Sequence, residues 1–269
     1  MPKGKISSPK GGKGFGFRYG SLHGSMRLKR GSSVRKGRSV KLNGIWASLP
    51  SDRAFSGDGR FANDFVGASN VLSVYLTGKL RKEKVETPNT RNIYLLPVKS
   101  TKLATTKACV IENDLSIYVP VDEHALYEAL SDPQQTGRVV CEVFLGALTY
   151  AQHKEAFKLP HFVDWLSVFA AQEYRLEWCH KSQKFRPEGL QAKLTARLDS
   201  QVFELHLKLE RGDEILVNEV IASASTDERL FCYKLGTMAV EEDCFVVRPR
   251  GGVDYASADQ KRVLFSKRL

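Results

Sequence analysis

Residues 190–222 read LQAKLTARLDSQVFELHLKLERGDEILVNEVIA, and their alternation of apolar and polar residues decides the fold class. Every second residue is apolar from Leu190 to Leu198, and the same period of two returns from Phe203 to Leu209. Successive side chains of a β-strand point to opposite faces, so this period predicts strands with one dry and one wet face. The two breaks hold DSQ and RGD, which are typical of turns. The stretch predicts an antiparallel meander whose third strand is Ile215–Ala222.

Further strands and a few helices are predicted outside the meander. Composition and turn signals predict strands at Asn70–Leu80, Asn92–Lys99, Ala108–Glu112, Leu115–Val119, Arg138–Thr149 and Cys244–Arg248. Capping residues and apolar periodicity predict helices at Asp122–Leu130, Pro160–Gln172 and Asp227–Met238. Runs of strands broken by a few helices predict an α+β fold with mostly antiparallel sheet. Its core is expected to include Phe162, Leu166, Phe169, Leu194, Leu205 and Leu207.

The amino-terminal fifth of the chain has a different composition. The first 51 residues hold 12 Lys and Arg, and the first acidic residue is Asp52. Ten of the 21 glycines lie between Gly4 and Gly44. Such a segment cannot bury enough apolar surface to offset the entropy of ordering it, so we expect it to be disordered on its own. The sequence therefore predicts a basic Gly/Ser-rich arm at residues 1–44 and a globular α+β domain at residues 45–269.

The arm combines the residue types that bind nucleic acid. Cations neutralise phosphates, aromatic faces stack on unpaired bases, and glycine lets the backbone follow an irregular strand. The alternatives for such an arm are a targeting signal and a solubilising tail. The predicted nucleic-acid-binding residues are Lys13, Phe15, Phe17, Arg18, Tyr19, Arg27, Lys29, Arg30, Arg35, Lys36, Arg38 and Lys41.

A secondary candidate surface is the polar face of the meander. Lys193, Arg197, His206 and Lys208 are predicted to lie on this face together with Glu204. One interpretation is a platform that carries nucleic acid beyond the arm. The other is an ordinary solvated sheet face with cross-strand ion pairs.

Sequence motifs for catalysis, metals and cofactors are absent. The chain has no GxxxxGK[ST] or GxSxG motif, no two histidines at HxxxH spacing, and no CxxC pair among its five cysteines. Lys82-Glu83-Lys84 lacks the apolar strand that a nuclease site uses, and Asp199, Glu204 and Lys208 fit a wet strand face equally well. We therefore expect no metal, no cofactor and no catalysis, with a metal-dependent nuclease left as an open alternative.

The sequence favours a non-catalytic nucleic-acid-binding protein, and RNA over DNA, because a Gly-aromatic-basic arm suits flexible single strands. The alternative is a viral coat or nucleocapsid-type structural protein, in which the arm packages the genome and the β-rich domain self-associates into a homo-oligomer. No run approaches the ~20 apolar residues of a membrane span. Five widely spaced cysteines favour free thiols in an intracellular, reducing compartment, with a nuclear or host-cell site left open.

Overall fold

The computed structural model describes residues 39–50, 59–155, 161–227, 231–250 and 263–269. These residues form mostly antiparallel sheets together with four helices, which confirms the predicted α+β class. The helices are α1 Gly59–Glu83, α2 Glu123–Ala129, α3 Pro133–Glu155 and α4 Phe162–Ala171. The strands are β1 Val40–Lys41, β2 Gly44–Ala47, β3 Glu86–Thr87, β4 Asn92–Lys99, β5 Lys107–Ile111, β6 Asp114–Val121, β7 Leu176–Phe185, β8 Leu190–Leu198, β9 Phe203–Arg211, β10 Glu214–Ala224, β11 Thr237–Glu241, β12 Cys244–Arg248 and β13 Phe265–Arg268.

The meander sheet contains the three predicted strands and one more. Its order is β10-β9-β8-β7, and every neighbouring pair is antiparallel. Asp199 Oδ1 accepts hydrogen bonds from the backbone N–H groups of Gln201 and Val202, which fixes the first turn. Gly212 has φ 57° in the second turn, a conformation that glycine adopts without strain. The predicted meander is therefore confirmed, and β7 extends it by a fourth strand.

The dry face of the meander sheet forms a large part of the hydrophobic core. The apolar residues of β8 and β9 are at most 2% exposed. Trp178 of β7 and Phe231 contact Phe203 from either side, with Phe231 stacked at a centroid distance of 4.5 Å. The six predicted core residues, Phe162, Leu166, Phe169, Leu194, Leu205 and Leu207, are all buried.

A second four-stranded sheet has the order β2-β4-β6-β5 and is mixed. β2, β4 and β6 run parallel. The turn signal Asn113-Asp114 predicts a hairpin, and β5 does pair antiparallel with β6, but the turn is formed by Glu112 and Asn113. Helix α1 follows β2 in the chain, and it packs against β2 and β4 of this sheet. Because proline has no backbone N–H to donate, Pro97 is expected at an edge or at an end of its strand. It lies in β4 two residues beyond Leu95, the last residue that pairs with β2.

Two predicted strands are wrong, because both segments are helical. Asn70–Leu80 lies in α1, and Arg138–Thr149 lies in α3. The β-branched and aromatic content of the first segment suggested a strand, but Phe65, Leu72 and Leu76 are buried at helical spacing. In the second, Asp132 accepts hydrogen bonds from the N–H groups of Gln134 and Gln135, just before the first helical turn. This cap and the following proline are helix-start signals that outweigh the apolar run.

Of the remaining predicted elements, some are confirmed and others are wrong in part. Asp122 caps α2 as predicted, and β12 has the predicted bounds. The predicted helix Asp227–Met238 is wrong at its carboxyl end, because Thr237 and Met238 begin β11. In α4 the apolar spacing predicts a buried stripe, and this is only partly right, because Val163 is half exposed and Trp165, outside the stripe, is buried. The predicted stripe is Phe162, Val163, Leu166, Phe169 and Ala170. The proline predicted to open this helix lies outside the described residues.

The carboxyl-terminal part of the chain forms a three-stranded antiparallel sheet of order β11-β12-β13. Phe245 of β12 contacts Phe185 of β7 edge to face, with centroids 5.6 Å apart. Lys267 of β13 donates a hydrogen bond to the carbonyl of Leu216 in β10. These contacts tie the carboxyl-terminal sheet to the meander sheet. None of the described helices is both long enough and apolar enough to cross a lipid bilayer.

Candidate nucleic-acid interface

Most of the predicted arm lies outside the described residues, which begin at Ser39. The prediction that the arm is disordered also concerns residues outside the described part of the chain. The predicted binding residues outside the described part are Lys13, Phe15, Phe17, Arg18, Tyr19, Arg27, Lys29, Arg30, Arg35, Lys36 and Arg38, and their role stays a prediction.

The last predicted arm cation, Lys41, is described, and it lies in a strand. β1 pairs antiparallel with β3, with Lys41 opposite Glu86. The next residue, Leu42, is fully buried. The division at residue 44 stays a prediction, but β1 and Leu42 lie on the arm side of it and pack against the globular domain. Any truncation of the arm should therefore stop before Ser39.

Backbone hydrogen bonds fix the place where the arm joins the domain. The N–H of Leu42 donates to the carbonyl of Val85 at 2.9 Å, and the N–H of Asn43 donates to the carbonyl of Arg91 at 2.7 Å. The Ser39 hydroxyl donates to the Glu86 carboxylate at 2.6 Å. The arm therefore joins the domain directly beside the segment that follows helix α1.

Helix α1 ends in a turn that carries a strained cation. Lys84 has φ 53°, in the left-handed region, and the N–H of Val85 reaches back to the carbonyl of Leu80 at 3.4 Å. Val85 and Leu80 are both buried. This is the hydrogen bond and the apolar contact of a Schellman motif, in which glycine is the usual residue at the left-handed position. A lysine occupies that position here.

Five exposed cations surround this junction, and we name them the arm-root patch: Lys41, Arg81, Lys82, Lys84 and Arg91. Within the described part of the chain, Lys41, Lys82, Lys84 and Arg91 form no ion pair.

The two carboxylates of the same segment have other contacts. Glu83 accepts a hydrogen bond from the indole N–H of Trp165 at 3.0 Å, and Glu86 accepts from Ser39. The segment from Lys79 to Arg91 holds five cations against these two acids. The junction is therefore a region of net positive charge on a domain that is nearly neutral as a whole.

The polar face of the meander has a different electrostatic character. Its predicted residues do share one face, because Lys193 lies opposite Lys208 and Arg197 lies opposite Glu204 in the register of β8 and β9. Thr195 lies opposite His206 between these two pairs. The structure thus brings the four candidates together across two neighbouring strands.

Three of the four candidates on this polar face contact a carboxylate. Arg197 Nε lies 2.9 Å from Glu177 of β7, and Lys208 Nζ lies 2.5 Å from Glu210. His206 Nε2 lies 3.5 Å from Glu204 and 3.1 Å from the Arg197 guanidinium. The Arg197–Glu177 pair crosses from β8 to β7, whereas the other two contacts lie within β9, and together they are typical of a solvated sheet face.

A groove of about 580 Å³ lies at the carboxyl ends of β4 and β6. In parallel sheets this edge is the common position for ligands. Lys99 in this groove forms an ion pair with Glu123 at 2.6 Å, and its ammonium lies 5.7 Å from the centre of the Phe61 ring. Its cation is therefore already paired, and Asp122, which also lines the groove, caps helix α2.

Three of the residues considered for a nuclease site, Asp199, Glu204 and Lys208, have structural contacts. Asp199 caps the first meander turn, Glu204 lies beside His206, and Lys208 pairs with Glu210. Among the described residues there is no group of three His, Cys, Asp or Glu side chains placed to hold a metal ion.

The cysteines and the nearby histidine show no catalytic arrangement. All five cysteines are free thiols. Burial, followed by the neighbouring Glu142, raises the pKa of the Cys141 thiol to about 12, so it stays protonated at neutral pH. Burial is also the main cause that lowers the pKa of His180 below its ordinary value. The pairing of β7 with β8 has a register shift between Cys179 and Lys181, and His180 lies at that shift.

Comparisons with protein-family models, with curated proteins and with solved structures found no match. The function is therefore inferred from the residues of this chain and from their geometry.

The arm-root patch is the feature that sequence reasoning missed. Lys82-Glu83-Lys84 was weighed only as a fragment of a nuclease motif. The segment preceding it was predicted to be a strand, so the cations were not placed at the end of a helix. A helix prediction for residues 59–83 would have placed Arg81 and Lys82 in its last turn, but their proximity to the arm depends on the pairing of β1 with β3.

Proposed function

We propose that this protein is a non-catalytic nucleic-acid-binding protein that favours single-stranded RNA and binds it through the amino-terminal arm. The observation that carries the proposal is the charge division of the chain. Twelve cations and no carboxylate lie in the first 51 residues, whereas the other 218 residues hold 29 cations and 30 carboxylates. A block of unbalanced positive charge at one end is typical of a segment that binds a polyanion.

The described domain supports this division of roles. Three of the four candidate residues on the polar face of the meander already contact carboxylates, so this face offers little positive charge. Four exposed cations that form no ion pair among the described residues, Lys41, Lys82, Lys84 and Arg91, lie at the junction with the arm. Positive charge is therefore concentrated in the arm and beside its point of attachment.

The preference for single strands rests on the aromatic residues of the arm. Residues 13–19 read KGFGFRY, so that Phe15, Phe17 and Tyr19 alternate with glycine and arginine. Stacking on an aromatic ring requires an exposed base face, which single strands offer and duplexes hide. Five free thiols support an intracellular, reducing setting for this binding.

Changing Phe15, Phe17 and Tyr19 together to alanine should weaken single-strand binding by at least about tenfold. Each stacked base contributes roughly 1–3 kcal/mol, and about 1.4 kcal/mol corresponds to tenfold. The measurement is a fluorescence anisotropy titration of parent and variant with a 30-nucleotide oligouridylate and with a duplex of equal length, at one salt concentration.

The duplex is the internal control, because the variant keeps every arm cation. Duplex affinity and the salt dependence should therefore change little. An equal loss of affinity for both nucleic acids, or no loss for either, would contradict the preference for single strands. The arm would then bind only as a polycation.

A coat or nucleocapsid-type subunit remains the alternative, since such a protein also combines a basic arm with a β-rich domain. It requires extensive self-association, which a simple RNA-binding protein does not. Sedimentation velocity of the purified protein with and without RNA separates the two. A discrete high-order oligomer that forms on RNA would favour the coat protein.

A further inference from the structure

We propose that the arm-root patch (Lys41, Arg81, Lys82, Lys84 and Arg91) is a second, folded contact surface for the sugar-phosphate backbone of the strand that the arm binds. The inference rests on the proposed function and assigns a binding role to the globular domain.

The first argument is position. The arm attaches at Ser39, and the hydrogen bonds from Leu42 to Val85 and from Asn43 to Arg91 place its root beside the patch. A nucleic-acid strand that is bound by the arm therefore has a high effective concentration at the patch. Its binding there costs little additional translational freedom.

The second argument is the lack of charge partners. Among the described residues, Lys41, Lys82, Lys84 and Arg91 form no ion pair. A phosphate can therefore contact these side chains without breaking an existing ion pair. On the polar face of the meander, by contrast, a phosphate would have to displace Glu177 from Arg197 or Glu210 from Lys208.

The third argument separates this role from helix stabilisation. Cations at the end of a helix also interact favourably with the helix dipole, so Arg81 and Lys82 have a structural use. The interaction with the helix dipole does not by itself explain why position 84 is a lysine. Its left-handed conformation is strained for lysine, and glycine would satisfy the same turn without strain. What Lys84 adds to the patch is an exposed cation that forms no ion pair among the described residues.

The test is a triple substitution in the full-length chain, K82Q/K84Q/R91Q. Its matched control is K107Q/K184Q/R211Q, which removes two lysines and one arginine from exposed positions elsewhere on the domain. Both variants lose three positive charges, so net charge alone cannot distinguish them. The probe is a 30-nucleotide oligouridylate, and its affinity is measured by fluorescence anisotropy. The salt concentration is varied from about 50 to about 300 mM, a range over which the affinity should fall steeply.

The patch variant should bind more weakly and with a shallower salt dependence than the control. One phosphate contact on a single strand contributes about 0.7 to the slope and about fivefold in affinity at 0.1 M salt. Three lost contacts should make the slope shallower by about 2 and lower the affinity about 100-fold. Thermal unfolding of both variants is followed in parallel, so that a folding defect is not read as lost binding.

The outcomes separate this inference from the proposed function. If the parent binds with a steep salt slope and the patch variant matches the control, the inference is overturned and the arm alone binds. If the parent does not bind nucleic acid at all, the proposed function itself fails.

A single substitution, Lys84→Gly, gives an independent check. It removes one cation and also relieves the left-handed strain. Relief of about 1 kcal/mol corresponds to a rise of about 2–4 °C in the unfolding midpoint for a domain of this size. A phosphate-contact role predicts this rise together with about fivefold weaker binding. A more stable protein with unchanged affinity would overturn the assignment of Lys84.

Discussion

Replacing eight cations of the arm by glutamine should lower the affinity for single-stranded RNA by about 500-fold at 0.1 M salt. We expect about half of them to contact phosphates, and four lost contacts at about fivefold each give this value. The slope of log K against log salt should become shallower by about 3. The replaced residues are Lys13, Arg18, Arg27, Lys29, Arg30, Arg35, Lys36 and Arg38.

This variant keeps the three aromatic residues and every residue from Ser39 onward, so the domain should be unchanged. Circular dichroism and the unfolding midpoint provide that control. A variant with the affinity and salt slope of the parent would place the binding site on the domain and contradict the role of the arm.

Leu205→Ala should lower the free energy of unfolding by about 2–5 kcal/mol. Leu205 is fully buried on the central strand β9, opposite Ala196 of β8 and Ala222 of β10. Both cross-strand neighbours are alanine, whose side chains are too short to fill the space, so truncation should leave a cavity. Urea unfolding followed by circular dichroism measures the effect.

The control for this substitution is Val220→Ala on the polar face of the same sheet. Val220 is 42% exposed, and a change there should stay within about 0.5 kcal/mol. A loss below about 1 kcal/mol for Leu205→Ala, or an equal loss for Val220→Ala, would show that the two faces of the meander are assigned wrongly. RNA affinity at low denaturant should be the same for both variants.

The meander was predictable because its period of two has one consistent interpretation. The apolar residues of β8 and β9 with a period of two all lie on the buried face, and the turns occur where Asp199 and Gly212 allow them. In such a strand a shift of one residue would expose the whole apolar set, so the pattern fixes both the face and the register. Local sequence and tertiary structure agree here.

The long helices could not be predicted with the same method. In α1 the buried set includes Ser69, Ser73 and Thr77 as well as apolar residues, because the helix is covered on several sides. A helix buried in this way has no clear polar stripe, and its Val and Tyr content resembles that of a strand. The caps carried more information than the composition, as Asp132 before α3 shows.

The candidate site was only partly predictable for a related reason. Charge counting finds the arm, since it depends on composition alone. The arm-root patch depends on a tertiary fact: β1 pairs with β3 and thereby brings Lys41 next to the end of α1. Lys41 and Arg91 are 50 residues apart in sequence, and no local pattern connects them.

The most direct test of nucleic-acid binding is the salt dependence of the unmodified full-length protein with a 30-nucleotide oligouridylate. Affinity is measured at several salt concentrations, and log K is plotted against log salt. About six phosphate contacts from the arm predict a slope of roughly −4, and contacts at the arm-root patch make it steeper. A slope near zero, or no binding at low salt, would contradict the proposal that this protein binds nucleic acid through its positive charge.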